Sequence, residues 1–132
     1  KFIITSNWSK NSTLLWNSAS KSKIKLKGHQ GHIKSNNFSP NSKYIVTASR
    51  NGNAFLWDTS GKFIVKLQGH QDALNSVKFS TDGKLIITTS LDGTAILWNI
   101  HGKAVLKIQG DKSSIVSTCL SSDGKRILTT YR

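Results

Sequence analysis

The sequence has no methionine, no glutamate, one cysteine and one proline in 132 residues. The lone Cys119 excludes an internal disulfide and a cysteine-built zinc cluster, and it favours a reducing compartment. Without Glu, the six Asp are the only acidic side chains. Asp58, Asp82, Asp92 and Asp123 sit in turn-like contexts, so paired carboxylates for acid–base work are not expected. His32 and His101 have no Cys, His or Glu at ligand spacing, although His29 and His32 lie close together; no metal and no cofactor is expected. No phosphate-cradling glycine loop follows a strand-like run. No apolar stretch approaches the roughly 18 residues of a spanning helix, so membrane insertion is not expected, and no leader pattern is visible.

Positive charge is abundant. Nineteen Lys and Arg against six Asp give a formal charge of +13. A balance of this size suits nucleic acid, an anionic membrane surface or an acidic protein. It also fits a plain compositional habit, because Ser is as common as Lys and Arg together.

The chain repeats itself. The stretch 69–99 opens on Gly69-His70 and closes on Trp98-Asn99, and the same frame stands 41 residues upstream, from Gly28-His29 to Trp57-Asp58. It restarts at Gly110-Asp111, and its tail appears first at Trp16-Asn17. A period of this length marks a repeat architecture. Each unit carries four short β-prone runs separated by Gly-marked turns, with no helical period. The runs fall at 2–6, 13–16 and 24–26; at 33–38, 44–49, 54–57 and 63–67; at 74–79, 85–90, 94–98 and 104–108; and at 115–120 and 127–131. Asn51-Gly52 and Asp92-Gly93 suit tight hairpins with positive φ. The expectation is an all-β array in contiguous units: 1–27 (runs two to four of a unit), 28–68, 69–109, and 110–132 (runs one and two). Both ends lie inside strand-like runs, which reads as a section of a longer protein.

The Gly-His opening, the Phe79-Ser80-x-Asp82-Gly83 turn and the run from Ser90 to Trp98 resemble WD-repeat β-propellers. The resemblance covers essentially the whole chain. It implies blades of four antiparallel strands in an incomplete propeller, about three blades' worth. It also implies a hydrogen-bonded tetrad supporting each blade, from a Trp through a hydroxyl to the loop His and a hairpin acid. Carried over, the tetrad is complete as His70, Thr88, Asp92 and Trp98. It becomes His29, Thr47, Asn51 and Trp57 with an amide in place of the acid. The first unit keeps Ser6 and Trp16 with Lys10 at the acid position, and the last has Asp111 for the His, followed by Thr129. Thr88, His70 and Asp92 imitate a nucleophilic triad, but their recurrence with a Trp at repeat spacing favours support over catalysis.

Lysine follows the repeat too. Lys43, Lys84 and Lys125 fall in the first hairpin of successive units, and Lys21, Lys62 and Lys103 in the turn after the Trp run. Lys25, Lys66 and Lys107 recur on the fourth run, where they guard an outer edge against aggregation. The two turn sets would share one propeller face and form a basic ring. The opposite face would carry partner contacts at Gln30, His32, Lys34, Arg50, Gln71, Asp72, Asn75, Leu91 and Lys112, with the apolar Leu91 the best single candidate. The reading is a non-catalytic protein–protein interaction scaffold that binds other proteins or peptides, its ring completed by neighbouring blades or another chain. One alternative is a basic face for RNA, a ribonucleoprotein or another acidic surface. Another is a targeting domain joined to an enzyme outside this stretch. The expected location is cytoplasmic, with the nucleus as the alternative.

Overall fold

The computed structural model describes residues 1–7, 12–110 and 113–132. Lys10, Asp111 and Lys112 lie outside these residues. The described residues form thirteen strands and no helix. A first sheet holds β1 (Phe2–Asn7), β2 (Ser12–Asn17) and β3 (Ser22–Leu26). A second holds β4 (Ile33–Phe38), β5 (Tyr44–Ser49), β6 (Asn53–Asp58) and β7 (Phe63–Gln68). A third holds β8 (Leu74–Phe79), β9 (Leu85–Ser90), β10 (Thr94–Asn99) and β11 (Ala104–Gln109). The last pair is β12 (Ile115–Leu120) and β13 (Ile127–Tyr131). Each sheet is an antiparallel meander in chain order, and the sheets do not close into a ring. This is an incomplete β-propeller.

The central strands explain why the sheets stack. Successive residues of a strand point to opposite faces, yet β5 and β9 are buried at every position after the first. Both faces of each central strand are therefore covered. One face of the second sheet (Val46, Ala48, Ala54, Leu56, Leu67) packs on Leu74, Val77, Ile86, Ile96 and Trp98 of the third. Its other face, with Ile45, Phe55 and Trp57, packs on Leu15 and Leu26 of the first. The inner strands β4, β8 and β12 each begin on a buried anchor and are part-exposed beyond it, and the outer strands β3, β7 and β11 are mostly exposed.

A single turn design recurs along the chain. In seven turns the first residue's carbonyl accepts from the N–H three residues on, at 2.8–3.3 Å. The fourth residue sits at positive φ; it is Gly in six turns and Ser42 (φ 57) in the other. This is a type I turn followed by a left-handed residue; at 50–52 and 91–93 it makes a three-residue hairpin loop, and elsewhere it lies within a longer connection. At Asn51-Gly52 only the Gly takes positive φ (81°), so the pair does not form a two-residue primed turn. An Asx or Ser side chain organises most of these turns. Asp58 Oδ1 accepts the Ser60 and Lys62 N–H groups at 2.9 and 3.0 Å, and Asn99 Oδ1 accepts those of His101 and Lys103, both at 3.0 Å. Acid and amide do this equally well, which is why Trp-Asp and Trp-Asn alternate in the repeats.

The turns also lock adjacent sheets together. A Cβ built at Gly102 would lie 2.5 Å from Val65 Cγ2, and one at Gly61 would lie 2.6 Å from Ile24 Cγ2. Each of these turns is therefore pressed on the outer strand of the preceding sheet, where only a glycine fits. On the same face Pro40 lies against Gly83, Thr59 N–H donates to Lys43 O at 3.2 Å, and Thr81 donates to Ser122 O at 2.8 Å. These contacts chain the turns of three sheets into one row.

Candidate functional site

The polar centre of the third sheet is built from five strand and loop positions. Trp98 on β10 lies two residues further along the ladder than the residue facing Thr88, since Thr88 pairs with Ile96 and Ile86 with Trp98. That diagonal brings the indole under the hydroxyl, and Trp98 Nε1–H donates to Thr88 Oγ1 at 2.8 Å. Thr88 Oγ1 lies 2.7 Å from His70 Nε2. His70 Nδ1 is 2.8 Å from Thr94 Oγ1 and 3.3 Å from Asp92 Oδ2. Thr94 in turn donates to Asp92 Oδ1 at 2.6 Å. The indole N–H can only donate, so the hydroxyl passes its proton toward Nε2. Nδ1 then carries the imidazole proton and donates toward Thr94 and Asp92.

Burial lowers the His70 pKa, and this outweighs the opposing pull of the Asp92 charge and hydrogen bond; the ring is neutral at neutral pH. For Asp92, burial acts to raise the pKa. Hydrogen bonds from the Thr94 hydroxyl and the Gln71 and Thr94 N–H groups, with His70, outweigh it and leave the carboxyl below the ordinary Asp range.

The connectivity is that of a nucleophilic triad, but the access is not. Thr88 is 0% exposed and Trp98 3%, so the hydroxyl lies under the indole where no substrate carbonyl reaches it. Among the described residues no group of three or more His, Cys, Asp or Glu is placed to hold a metal ion.

The second sheet keeps half of this arrangement. Trp57 Nε1–H donates to Thr47 Oγ1 at 2.9 Å, and His29 Nε2 lies 2.5 Å from the same oxygen. Asn51 does not reach the ring: its Oδ1 accepts the Asn53 N–H at 3.3 Å. His29 Nδ1 is buried with no hydrogen-bond partner among the described residues. Instead the ring stacks on Phe55, centroids 4.2 Å apart. Burial pushes its pKa from 6.5 down to about 4.

The first sheet differs from expectation. Trp16 Nε1–H donates to Thr5 Oγ1 at 2.8 Å, and Ser6 is turned instead toward Thr13, at 3.4 Å. Thr5 and Trp16 are eleven residues apart, where the other Trp–Thr pairs are ten apart. The hairpin is one residue longer, so a fixed 41-residue offset lands one position late. In the last sheet Thr129 donates to Tyr131 Oη at 3.0 Å.

Among the surface positions, Lys34, Asn75 and Leu91 come together. With Ser114, Val116 and Arg132 they line a groove of about 330 Å³. Arg50, Gln30 and Asp72 are exposed nearby in the chain but do not line it, and His32 is half-buried. Lys21, Lys43, Lys62, Lys84, Lys103 and Lys125 are all exposed turn residues. Thr94 and the groove residues Ser114, Val116 and Arg132 were not singled out by the sequence. Thr94 had a signal, being a hydroxyl two residues after the hairpin acid; the groove residues become neighbours only when sheets stack.

A family model described as WD domain, G-beta repeat matches residues 20–58 and 61–99, together more than half of the chain. No curated protein matches it.

The network sets two expectations. Trp98→Ala should lower stability by about 3–5 kcal/mol. Thr88→Val, which strands the indole N–H, should lower it by about 2–4 kcal/mol, whereas Thr88→Ser retains most of it. Urea unfolding reads all three; parity of the Val and Ser variants would show that the hydroxyl is not a connector. The second concerns pH. The folded His29 takes up its proton only near 4, the unfolded one near 6.5. Stability should therefore fall as pH drops through that window, by at most about 3 kcal/mol, with buried His70 acting in the same direction. Asn51→Asp supplies the acceptor that His29 lacks and should flatten the dependence. Identical slopes for variant and parent between about pH 7 and about pH 5 would contradict this.

Proposed function

The chain belongs to the WD40 repeat family, and on that premise we propose that it is a non-catalytic scaffold, a section of a WD-repeat propeller that binds other proteins or peptides within a larger protein or assembly. WD40 repeats generally mediate protein–protein interaction. The observation that carries the reading is the division between spent and unspent groups. The triad-like Thr88, His70 and Asp92 are used in holding one sheet together and are shielded by Trp98. On the loop face, groups left facing solvent include Leu91, 41% exposed, and Val116, 47% exposed. Apolar side chains exposed beside a groove suit a macromolecular partner. Selection of a random-peptide display library on the chain should enrich a sequence family whose binding falls on Leu91→Asp. An empty selection, or one indifferent to every substitution on the loop face, would overturn the scaffold reading for this section.

The chained row of turns supports a second reading, a basic face for RNA or another acidic surface. Lys43, Lys84 and Lys125 follow the same turn in three successive sheets, and those turns touch one another. Asp82 and Asp123 share the row, their carboxyls held below the ordinary range first by the hydroxyls of Ser80 and Ser121; they reduce the net field. If the row contacts phosphates, changing the three lysines to Gln should reduce the slope of log affinity against log salt for single-stranded RNA by about 2. An unchanged slope would remove this reading.

A further inference from the structure

The groove on the loop face has a chemistry of its own. Lys34, Asn75 and Val116 are the second residues of three successive inner strands, each following a buried anchor: Ile33, Leu74 or Ile115. The same register in stacked sheets brings them to one rim. Asn75 Nδ2 donates to Ile115 O at 2.8 Å and ties β8 to β12 across the groove floor. Ser114 Oγ reaches Leu91 O at 3.5 Å, and Arg132 N–H donates to Ser114 O at 3.2 Å. These bonds hold the hairpin that carries Leu91 and the strand end that carries Arg132 beside each other. The result is an apolar pair, Leu91 and Val116, with the cationic Lys34 and Arg132 also in the lining.

No described lining residue has an acidic side chain. The acid next to Leu91 in sequence is Asp92, whose carboxylate is directed at His70, Thr94 and the Gln71 N–H. Asp72 accepts its neighbour's N–H at 2.6 Å. The described lining therefore offers two cationic and two apolar side chains, in a chain of net charge +13.

We infer that this groove takes an acidic peptide segment: one aliphatic side chain seated between Leu91 and Val116, with flanking carboxylates reaching Lys34 and Arg132. The inference rests on the scaffold reading and names its partner. The volume, about 330 Å³, lies at the small end of ligand sites and suits one side chain with the backbone beside it. A peptide is favoured over RNA because no aromatic ring is among the described residues lining the groove to stack a base. Charge at such a rim governs partner choice and association rate more than final affinity, so discrimination should be clearer than tightness.

The test uses a fluorescein-labelled peptide with a central leucine between paired aspartates, titrated into the 132-residue chain and read by anisotropy. Binding should weaken about tenfold with Lys34→Glu, with Leu91→Asp, and when the peptide's aspartates are changed to asparagines. It should be unchanged with Lys84→Glu on the other face. Lys34, Leu91 and Lys84 are exposed, so circular dichroism of the variants should match the parent. Equal binding of the asparagine peptide, still dependent on Leu91, would overturn the acidic partner and leave the scaffold reading standing. Loss with Lys84→Glu but not Lys34→Glu would move the site to the turn face and overturn the inference. Displacement of the probe by oligouridylate that needs Lys34 and not Leu91 would replace the peptide with nucleic acid. Failure of this probe, alongside an empty display selection, would remove both readings.

Discussion

The fold depends on the covering of each central strand on both faces. A sheet packed on one side can leave its polar side chains in water, whereas β5 and β9 have no watery side after their first residue. Any polar group placed there must find its partners inside, because an unsatisfied buried donor is destabilising by about 1–3 kcal/mol. Thr47 and Thr88 meet this constraint by serving two neighbours at once. Each accepts from an indole N–H and meets an imidazole Nε2. The histidine then ties the loop preceding its sheet to the middle of that sheet. A loop that would otherwise be held only by its ends is anchored to the best-buried strand.

That anchoring fixes where binding chemistry can lie. The polar groups with the most reactive-looking connectivity are the least accessible, since hydrogen bonding and burial make Thr88 useful as a connector and useless as a nucleophile. Loops held by such a network present their remaining side chains at set positions, as rigid scaffolds do. The turn row on the other face is fixed by a different device, the Asx and Ser bonds within each turn and the glycine contacts between sheets. The two surfaces are thus built independently, one from histidine-anchored loops and one from self-contained turns. Charge changes on one need not disturb the other.

Much of this was legible in the sequence. Each of the thirteen expected runs overlaps a strand, because β-prone runs and turn chemistry agree at every step. The tetrad positions His70, Thr88, Asp92 and Trp98 follow from the family resemblance. Where the repeat arithmetic misled, the cause was geometric: ladder register, not sequence offset, decides which hydroxyl meets an indole, and one extra hairpin residue made that Thr5 rather than Ser6. Thr94 was missed because the corresponding residue one unit earlier is Asn53, so no repeated hydroxyl drew attention to it. The groove was half visible. Lys34, Asn75 and Leu91 were named among the positions of one face, but Val116 and Arg132 join them only through packing between sheets, which one strand's pattern does not encode.

The second sheet shows how such a network tolerates decay. Replacing the acid by Asn51 leaves His29 Nδ1 buried and unpartnered among the described residues, yet the loop keeps its place. The compensation is aromatic. Phe55 stands where the third sheet has Ile96, and it stacks on His29 at 4.2 Å. It meets Trp57 and Phe63 edge-on, at 5.8 and 5.7 Å. Pairs of this geometry contribute about 0.5–1.5 kcal/mol each beyond their buried area, comparable to one net hydrogen bond. The exchange has an electrostatic consequence that packing alone does not cancel. With no carboxylate to favour its charged form, His29 is lowered to about 4. In His70 the carboxylate of Asp92 opposes the effect of burial. Two sheets of one chain thus reach similar geometry by different physics, and pH, rather than structure, is what separates them.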